Sequence, residues 1–243
     1  MTADNQTSQP AAQNGLATNG SSANGHARTK ICVYCGASAG ASPAHIEAAR
    51  ELGRVMAANN IDLVYGGGTV GLMGEVAKTI VAINGPKSVH GIIPEALVKY
   101  ERDGTYQTVN SNNQVVPDRE VYGVTTVVED MHTRKKLMAE EVFSGGPGSG
   151  FIGLSGGFGT VEEIFETTTW NQLGIHSQGI VLLNIEGYWD GIIQWMDRAA
   201  EEGFVKPANK DILVTSNTPE GAIKALREYK VSDSIYQLQW GKQ

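Results

Sequence analysis

From Lys30 onward, short β-branched and aromatic runs alternate with longer stretches in which apolar residues recur every three to four positions. Runs of the first kind predict strands, and stretches of the second kind predict amphipathic helices. KICVYCG (30–36) reads as a buried strand, and SPAHIEAARELGRVMAANN (42–60) as a helix opened by a Ser-Pro cap. The strand DLVYGGG, the helix TVGLMGEVAKTIVAI and the strand KSVHGIIP follow. Residues 95–121 are polar and irregular around NSNNQ, and read as a long excursion or lid. Next come the strand VTTVVE, the helix DMHTRKKLMAEEVFS, the strand GFIGLSGG and the helix TVEEIFETTTWNQL. GIVLLNI, the helix YWDGIIQWMDRAAEE, DILVTS and the helix TPEGAIKALREY complete the pattern. Such alternation predicts a single α/β domain, a parallel sheet flanked by helices on both faces. Ligands of such sheets bind beyond the carboxyl ends of the strands, so the turns that follow strands are where chemistry is sought.

The domain is expected to span residues 30–243. Residues 1–29 are rich in Asn, Ser, Ala, Gly and Gln and bury too little apolar surface to order, so a disordered low-complexity tail is expected. That segment has neither the basic and apolar regions of a secretory signal nor the arginines of a transit peptide. No apolar run approaches the roughly 18 residues of a membrane span. A net charge of −7, with RKK as the longest basic run, argues against a nucleic-acid groove. Cys32 and Cys35 form a lone C-x-x-C inside a strand, where positions i and i+3 point to opposite faces. The five histidines show no ligand spacing, so neither metal nor disulfide is expected, which suits a reducing cytoplasm.

Two glycine-rich turns carry the chemistry. GGGTVG (66–71) satisfies G-x-G-x-x-G between a strand and a helix, but after the second strand and without a well-placed acid, so Gly67 and Gly68 suggest an anion contact more than a dinucleotide site. SGGFGT (155–160) brings Gly156, Gly157, Gly159 and Thr160 to a helix start, where free amides and the helix dipole favour a phosphate. Thr160 and Glu163 have the spacing of a capping box, with Glu163 opposite a buried stripe of Val161, Ile164, Phe165 and Thr168. Glu162 is then a spare acid at the mouth of the anion site, or a first-turn acid favoured by the dipole alone. On the preceding helix, Arg134 and Lys135 flank the stripe of Met131, Met138 and Val142. They either snorkel or pair with Glu141, or else meet a bound phosphate or base edge. Amides and a cation for an anion, with one carboxylate nearby, suit a phosphorylated sugar that becomes cationic at its anomeric carbon.

At these positions the sequence resembles the Lonely Guy family of cytokinin-activating phosphoribohydrolases. The signature P-G-G-x-G-T-x-E-E corresponds to Ser155–Glu163, and the M-H-x-R-K helix to Met131–Lys135. The turn C-V-x-C-G-S-S corresponds to Cys32–Ser38, and L-V-Y-G-G-G-x-x-G-L-M-G to Leu63–Gly74. The resemblance, over about residues 30–230, implies a Rossmann-like fold without a cofactor, and hydrolysis of N6-modified adenosine 5′-monophosphates to free base and ribose 5-phosphate. It implies Arg134 and Glu162 as the catalytic pair, the phosphate on Gly156 to Thr160, further nucleotide contacts from Lys135, Thr168, Gly36 and Ser38, and a homodimer or larger homo-oligomer. Three features depart from the pattern: Ser155 replaces the signature proline, SGGPGSG (144–150) is inserted, and residues 95–121 are long enough to reshape the base pocket. The rival readings are a non-enzymic nucleotide or molybdenum-cofactor carrier and an NAD(P)-dependent enzyme. A lysine decarboxylase reading fails, because no candidate Schiff-base lysine of this sequence stands in a recognisable cofactor setting.

Overall fold

The computed structural model describes residues 27–98, 107–109, 114–236, 238 and 240. Its first half runs β1 (Lys30–Tyr34), α1 (Pro43–Ala58), β2 (Asp62–Tyr65), α2 (Gly71–Asn84), β3 (Val89–Pro94), β4 (Gln107–Val109), β5 (Val115–Pro117), α3 (Arg119–Tyr122) and β6 (Val124–Val128). The second half runs α4 (Met131–Phe143), β7 (Gly150–Gly153), α5 (Phe158–Gln172), β8 (Gly179–Leu183), α6 (Asp190–Glu201), β9 (Leu213–Ser216) and α7 (Pro219–Arg227). The seven strands expected from periodicity form one parallel sheet in the order β6-β3-β2-β1-β7-β8-β9.

Both faces of the sheet are covered, which is why its strands are near-continuous apolar runs. Ile31, Val33, Leu63, Tyr65 and Ile152 pack against Leu52 and Met56 of α1, Val76 and Ile80 of α2 and Ile223 of α7. Cys32, Tyr34, Val64, Phe151 and Ile180 point the other way, onto Met138 and Val142 of α4, Ile164 of α5 and Met196 of α6. Cys32 and Cys35 therefore lie in opposite core layers, each buried and outside any disulfide.

The chain leaves the centre of the sheet from β1 toward β6, then returns to β7 and proceeds to β9. Neighbouring strands β1 and β7 send their helices to opposite faces, which opens a crevice at their carboxyl ends, the usual ligand position of such sheets. The Gly36 N–H donates to the Ser155 carbonyl at 2.9 Å, so the two turns remain joined beyond the ladder.

The expected excursion of residues 95–121 contains a 3-10 turn at Glu95–Leu97, the antiparallel pair β4–β5 and the short α3, which the sequence pattern did not suggest. Residues 99–106 and 110–113, which are 12 of the 27 residues of the expected lid, lie outside the described residues, as does the tail through residue 26. The SGGPGSG insert is tied to the chain entering β1: Gly146 N–H donates to the Arg28 carbonyl and Lys30 N–H to the Ser149 hydroxyl. No helix among the described residues is long and apolar enough to cross a membrane.

His176 locks the turn between α5 and β8. Its Nε2–H donates to the Thr167 carbonyl at 2.9 Å, its Nδ1 accepts from the Gln178 amide at 3.1 Å, and its ring lies against Phe143 and Phe151. Burial outweighs the Thr167 bond and pushes its pKa down to about 4. An unfolded chain binds this proton near pH 6.5, so between about pH 6.5 and 4 the unfolded state is the better proton acceptor. The contribution is intact above pH 6.5 and is lost as pH falls toward 4. Urea midpoints taken from pH 7 to pH 4 should show His176→Gln losing about 3 kcal/mol less stability across that window than the unsubstituted protein.

Candidate active site

A cavity of about 260 Å³ occupies the crevice, lined by Cys35, Gly36, Ala37, Met73, Leu97, Met131, Arg134, Gly157, Gly159, Thr160, Glu162 and Glu163. These residues come from the turns after β1 and β7, the first turns of α2, α4 and α5, and the 3-10 turn after β3.

Helix α5 departs from the expected capping box. It starts at Phe158 with Gly157 as N-cap, so Thr160 sits inside its first turn. The Thr160 side chain is folded against Gly156, where a Cβ would lie 2.1 Å from its Oγ1. Packed there, it cannot reach back to cap the helix, and Gly157 has no side chain to do so. The first amides of α5 are thus left to a ligand, unlike those of α1, α3, α4 and α7, which Ser42, Asp118, Asp130 and Thr218 cap. A Cβ at Gly157 or Gly159 would meet no atom within 4 Å, and neither backbone is left-handed.

The buried stripe of α5 also differs. It consists of Thr160, Glu163, Ile164, Thr167 and Asn171, one position away from the expected Val161, Ile164, Phe165 and Thr168. Glu163 is therefore 8% exposed and faces the cavity, while Glu162 lies at the mouth with its side chain 53% exposed. The Glu163 charge reaches β1: burial, and then this carboxylate, push the Cys32 thiol well above its ordinary range. Thr168 is half-buried, outside the cavity lining, and its hydroxyl donates to the Ile164 carbonyl.

On α4, Asp130 caps the first turn through the Thr133 amide, and Arg134 and Lys135 are both buried. Glu141 pairs with Lys30 and His90, so it partners neither of them. Lys135 Nζ donates to Glu162 at 2.5 Å and Glu166 at 3.0 Å, which staples α4 to α5 and turns Lys135 out of the cavity lining. Burial alone would lower the Lys135 pKa, but the bonds and charges of the two carboxylates outweigh it and hold it above its ordinary value. Arg134 is 4% exposed and lines the cavity. Its Nη1 lies 3.7 Å from Met131 Sδ, and its Nε is buried without a hydrogen-bond partner among the described residues.

The glycines of the second turn answer mainly to packing. A Cβ on Gly66 would lie 1.8 Å from Arg134 Nη2, so the missing side chain makes room for the guanidinium. Gly67 has φ +78° against Ile92 and Ile93, and Gly71, with φ +59°, abuts the backbone of Ala37 and Ser38. Gly67 and Gly68 are buried and do not line the cavity. Gly36 lines it, whereas Ser38 lines an adjoining hollow of about 470 Å³ on the far side of the Gly36 and Gly156 turns.

Sequence reasoning thus brought Arg134, Gly157, Gly159, Thr160 and Gly36 to one cavity, placed Glu162 at its edge, and missed Glu163 as a lining group. The signal was present in the recurrence of polar Thr160, Glu163, Thr167 and Asn171 every three to four residues.

Comparison with known proteins gives the same grouping. The family model described as possible lysine decarboxylase matches residues 73–226. A bifunctional cytokinin biosynthesis protein of Fusarium pseudograminearum is 49% identical over 210 residues, which are 86% of this chain but 42% of that protein. A cytokinin riboside 5′-monophosphate phosphoribohydrolase of Arabidopsis thaliana is 40% identical over 200 residues, 82% of this chain and 83% of that protein. The molybdenum cofactor binding protein of Rippkaea orientalis shares the fold, with a TM-score of 0.54 at 20% identity over 82% of this chain and 96% of that one. A family match over more than half of the chain, with enzyme relatives at about two-fifths identity along most of their length, makes this chain a member of the Lonely Guy family.

Proposed function

We propose that the chain hydrolyses the N-glycosidic bond of cytokinin riboside 5′-monophosphates, N6-modified adenosine 5′-monophosphates, to the free base and ribose 5-phosphate. The observation that carries this reading is one cavity holding uncapped helix amides, a buried arginine and a buried glutamate. The relatives' activity supports the choice among phosphorylated ligands.

The phosphate rests on the amides of Gly157 to Thr160, where the positive end of the α5 dipole favours it. Glu163 lies one helical turn further along the same face, on the side of the anomeric carbon. Water oxygen bonds to C1′ as the C1′–N9 bond breaks; the electron pair of that bond leaves with the purine, which takes up the proton that the water gives up and departs as the neutral base. The Glu163 carboxylate stabilises the cationic ribosyl centre or orients that water, a role first expected of Glu162. Glu162 is instead engaged by Lys135. Arg134 supports the phosphoribose or the departing purine.

Other chemistries fit less well. A Schiff base needs a neutral amine, whereas no lysine among the described residues lines the cavity and Lys135 is held protonated by two carboxylates. A pyrophosphate on the 66–71 turn would compete with the Arg134 guanidinium lodged on Gly66. A carrier on this fold has no use for a buried carboxylate beside the anion site. The working unit in this reading is a homodimer or larger homo-oligomer in the cytoplasm, acting on a small molecule rather than on nucleic acid or a membrane. Met131 on α4 and the 97%-exposed Phe158 on α5 offer apolar surface for association.

Two experiments test the reading. With isopentenyladenosine 5′-monophosphate as substrate and chromatography of free base and ribose 5-phosphate, Glu163→Gln and Arg134→Ala should each lower kcat/KM by at least about 100-fold. Glu162→Gln should lower it by less than about fivefold, the worth of a largely exposed ion pair. Silence of Glu162→Gln with activity in Glu163→Gln would return the acid's role to Glu162, and no turnover by the unsubstituted protein would sink the hydrolase reading. Separately, Gly157→Ala and Gly159→Ala should keep the melting temperature, since their methyls meet no protein atom, while raising KM at least about tenfold, the loss of one charge-assisted hydrogen bond. An unchanged KM would place the phosphate elsewhere.

A further inference from the structure

Ser155 stands where the family signature has proline, and its buried side chain has a specific partner. Ser155 Oγ and His45 Nδ1 of α1 share a hydrogen bond of 3.0 Å across 110 residues of sequence. On the next residue, the Gly156 carbonyl accepts from the Tyr188 hydroxyl at 2.6 Å. The His45 and Tyr188 rings meet edge to face at 5.5 Å, so the two bonds form one continuous support behind the turn. The Ser155 carbonyl also receives the Gly36 amide. All three groups line the hollow on the far side of the turn from the catalytic cavity.

A proline ring stiffens a turn by fixing φ, whereas serine leaves it free. From the bonds that replace the ring, we infer that Ser155, His45 and Tyr188 form a brace that positions the Gly156–Gly159 turn for the substrate's phosphate. These are positioning residues, since none of them lines the cavity itself. The inference rests on the phosphoribohydrolase reading. Among the described residues the Ser155 N–H makes no backbone hydrogen bond, so a proline there forfeits none.

The test is rescue. With isopentenyladenosine 5′-monophosphate, His45→Ala and Tyr188→Phe should raise KM about tenfold and change kcat less than about twofold, the consequence of losing one hydrogen bond that orients a binding group. The double variant Ser155→Pro/His45→Ala should recover the original KM to within about twofold, because the ring replaces the lost support. General damage to folding would not be repaired by that second substitution. Wild-type KM in both His45→Ala and Tyr188→Phe, or a double variant as weak as His45→Ala, would overturn the brace. If the unsubstituted protein releases no base, the hydrolase reading fails on its own. The brace is then judged by calorimetry with ribose 5-phosphate, where the same tenfold loss and recovery support it and their absence overturns it.

Discussion

A guanidinium with only 4% exposure is the constraint around which the crevice is arranged. Removing a charge from water costs several kcal/mol unless partners replace the lost hydration. Arg134 is accommodated by a missing side chain at Gly66, by the Met131 sulfur, and by a cavity it shares with Glu163. Each provision fixes something else. Gly66 must follow Tyr65, the last residue of β2, so the second strand opens into a bare turn. Met131 must start α4, so Asp130 caps that helix and aims its first turn at the crevice. Nε remains buried without a partner among the described residues, which leaves hydrogen-bonding capacity for a ligand rather than for the fold.

The sheet was legible in the sequence because both its faces are covered. A strand buried on both sides must be apolar throughout, and runs such as ICVY and GIVLL have few other uses. The turns were legible because glycine, alternation and helix starts coincide. Helix α5 was harder, since its buried face is built from Thr160, Glu163, Thr167 and Asn171 alongside one isoleucine. A wheel weighted by hydrophobicity follows Val161 and Phe165 instead, and so turns Glu163 toward solvent. Thr167 satisfies its hydroxyl within the helix, through the Glu163 and Ile164 carbonyls, which makes a polar residue tolerable on a buried face. Helix α3 escaped because its four residues are too few to show a period.

Glycine content alone does not mark a binding turn. Gly66, Gly67, Gly71 and Gly156 each meet protein atoms or adopt a backbone that a side chain would strain, so the fold itself accounts for them. Gly157 and Gly159 meet nothing and are not left-handed, so the fold leaves them unexplained. The first motif contains four glycines and the second three, yet only the second leaves bare amides facing the cavity. The distinction depends on long-range neighbours such as Thr160 over Gly156 and Ser38 beneath Gly71, which no local motif records.

The adjacent residues Arg134 and Lys135 resolve the conflict between an anionic ligand and three carboxylates in the first three turns of α5, Glu162, Glu163 and Glu166. At roughly 7 Å and an effective dielectric near 20, each carboxylate opposes a phosphate charge by about 2 kcal/mol. Lys135 takes up two of them, Glu162 and Glu166, in one bifurcated ion pair. Glu163 then remains the acid facing the cavity, and the dipole of the same helix, acting on the phosphate one turn earlier, offsets its repulsion. Successive residues of a helix diverge by about 100°, so two cations side by side on α4 can serve separate carboxylates. Exchanging their chemistry would not preserve this: an ammonium at position 134 lacks the planar fork that reaches both sides of a buried cavity, and a guanidinium at 135 would crowd the seam between α4 and α5.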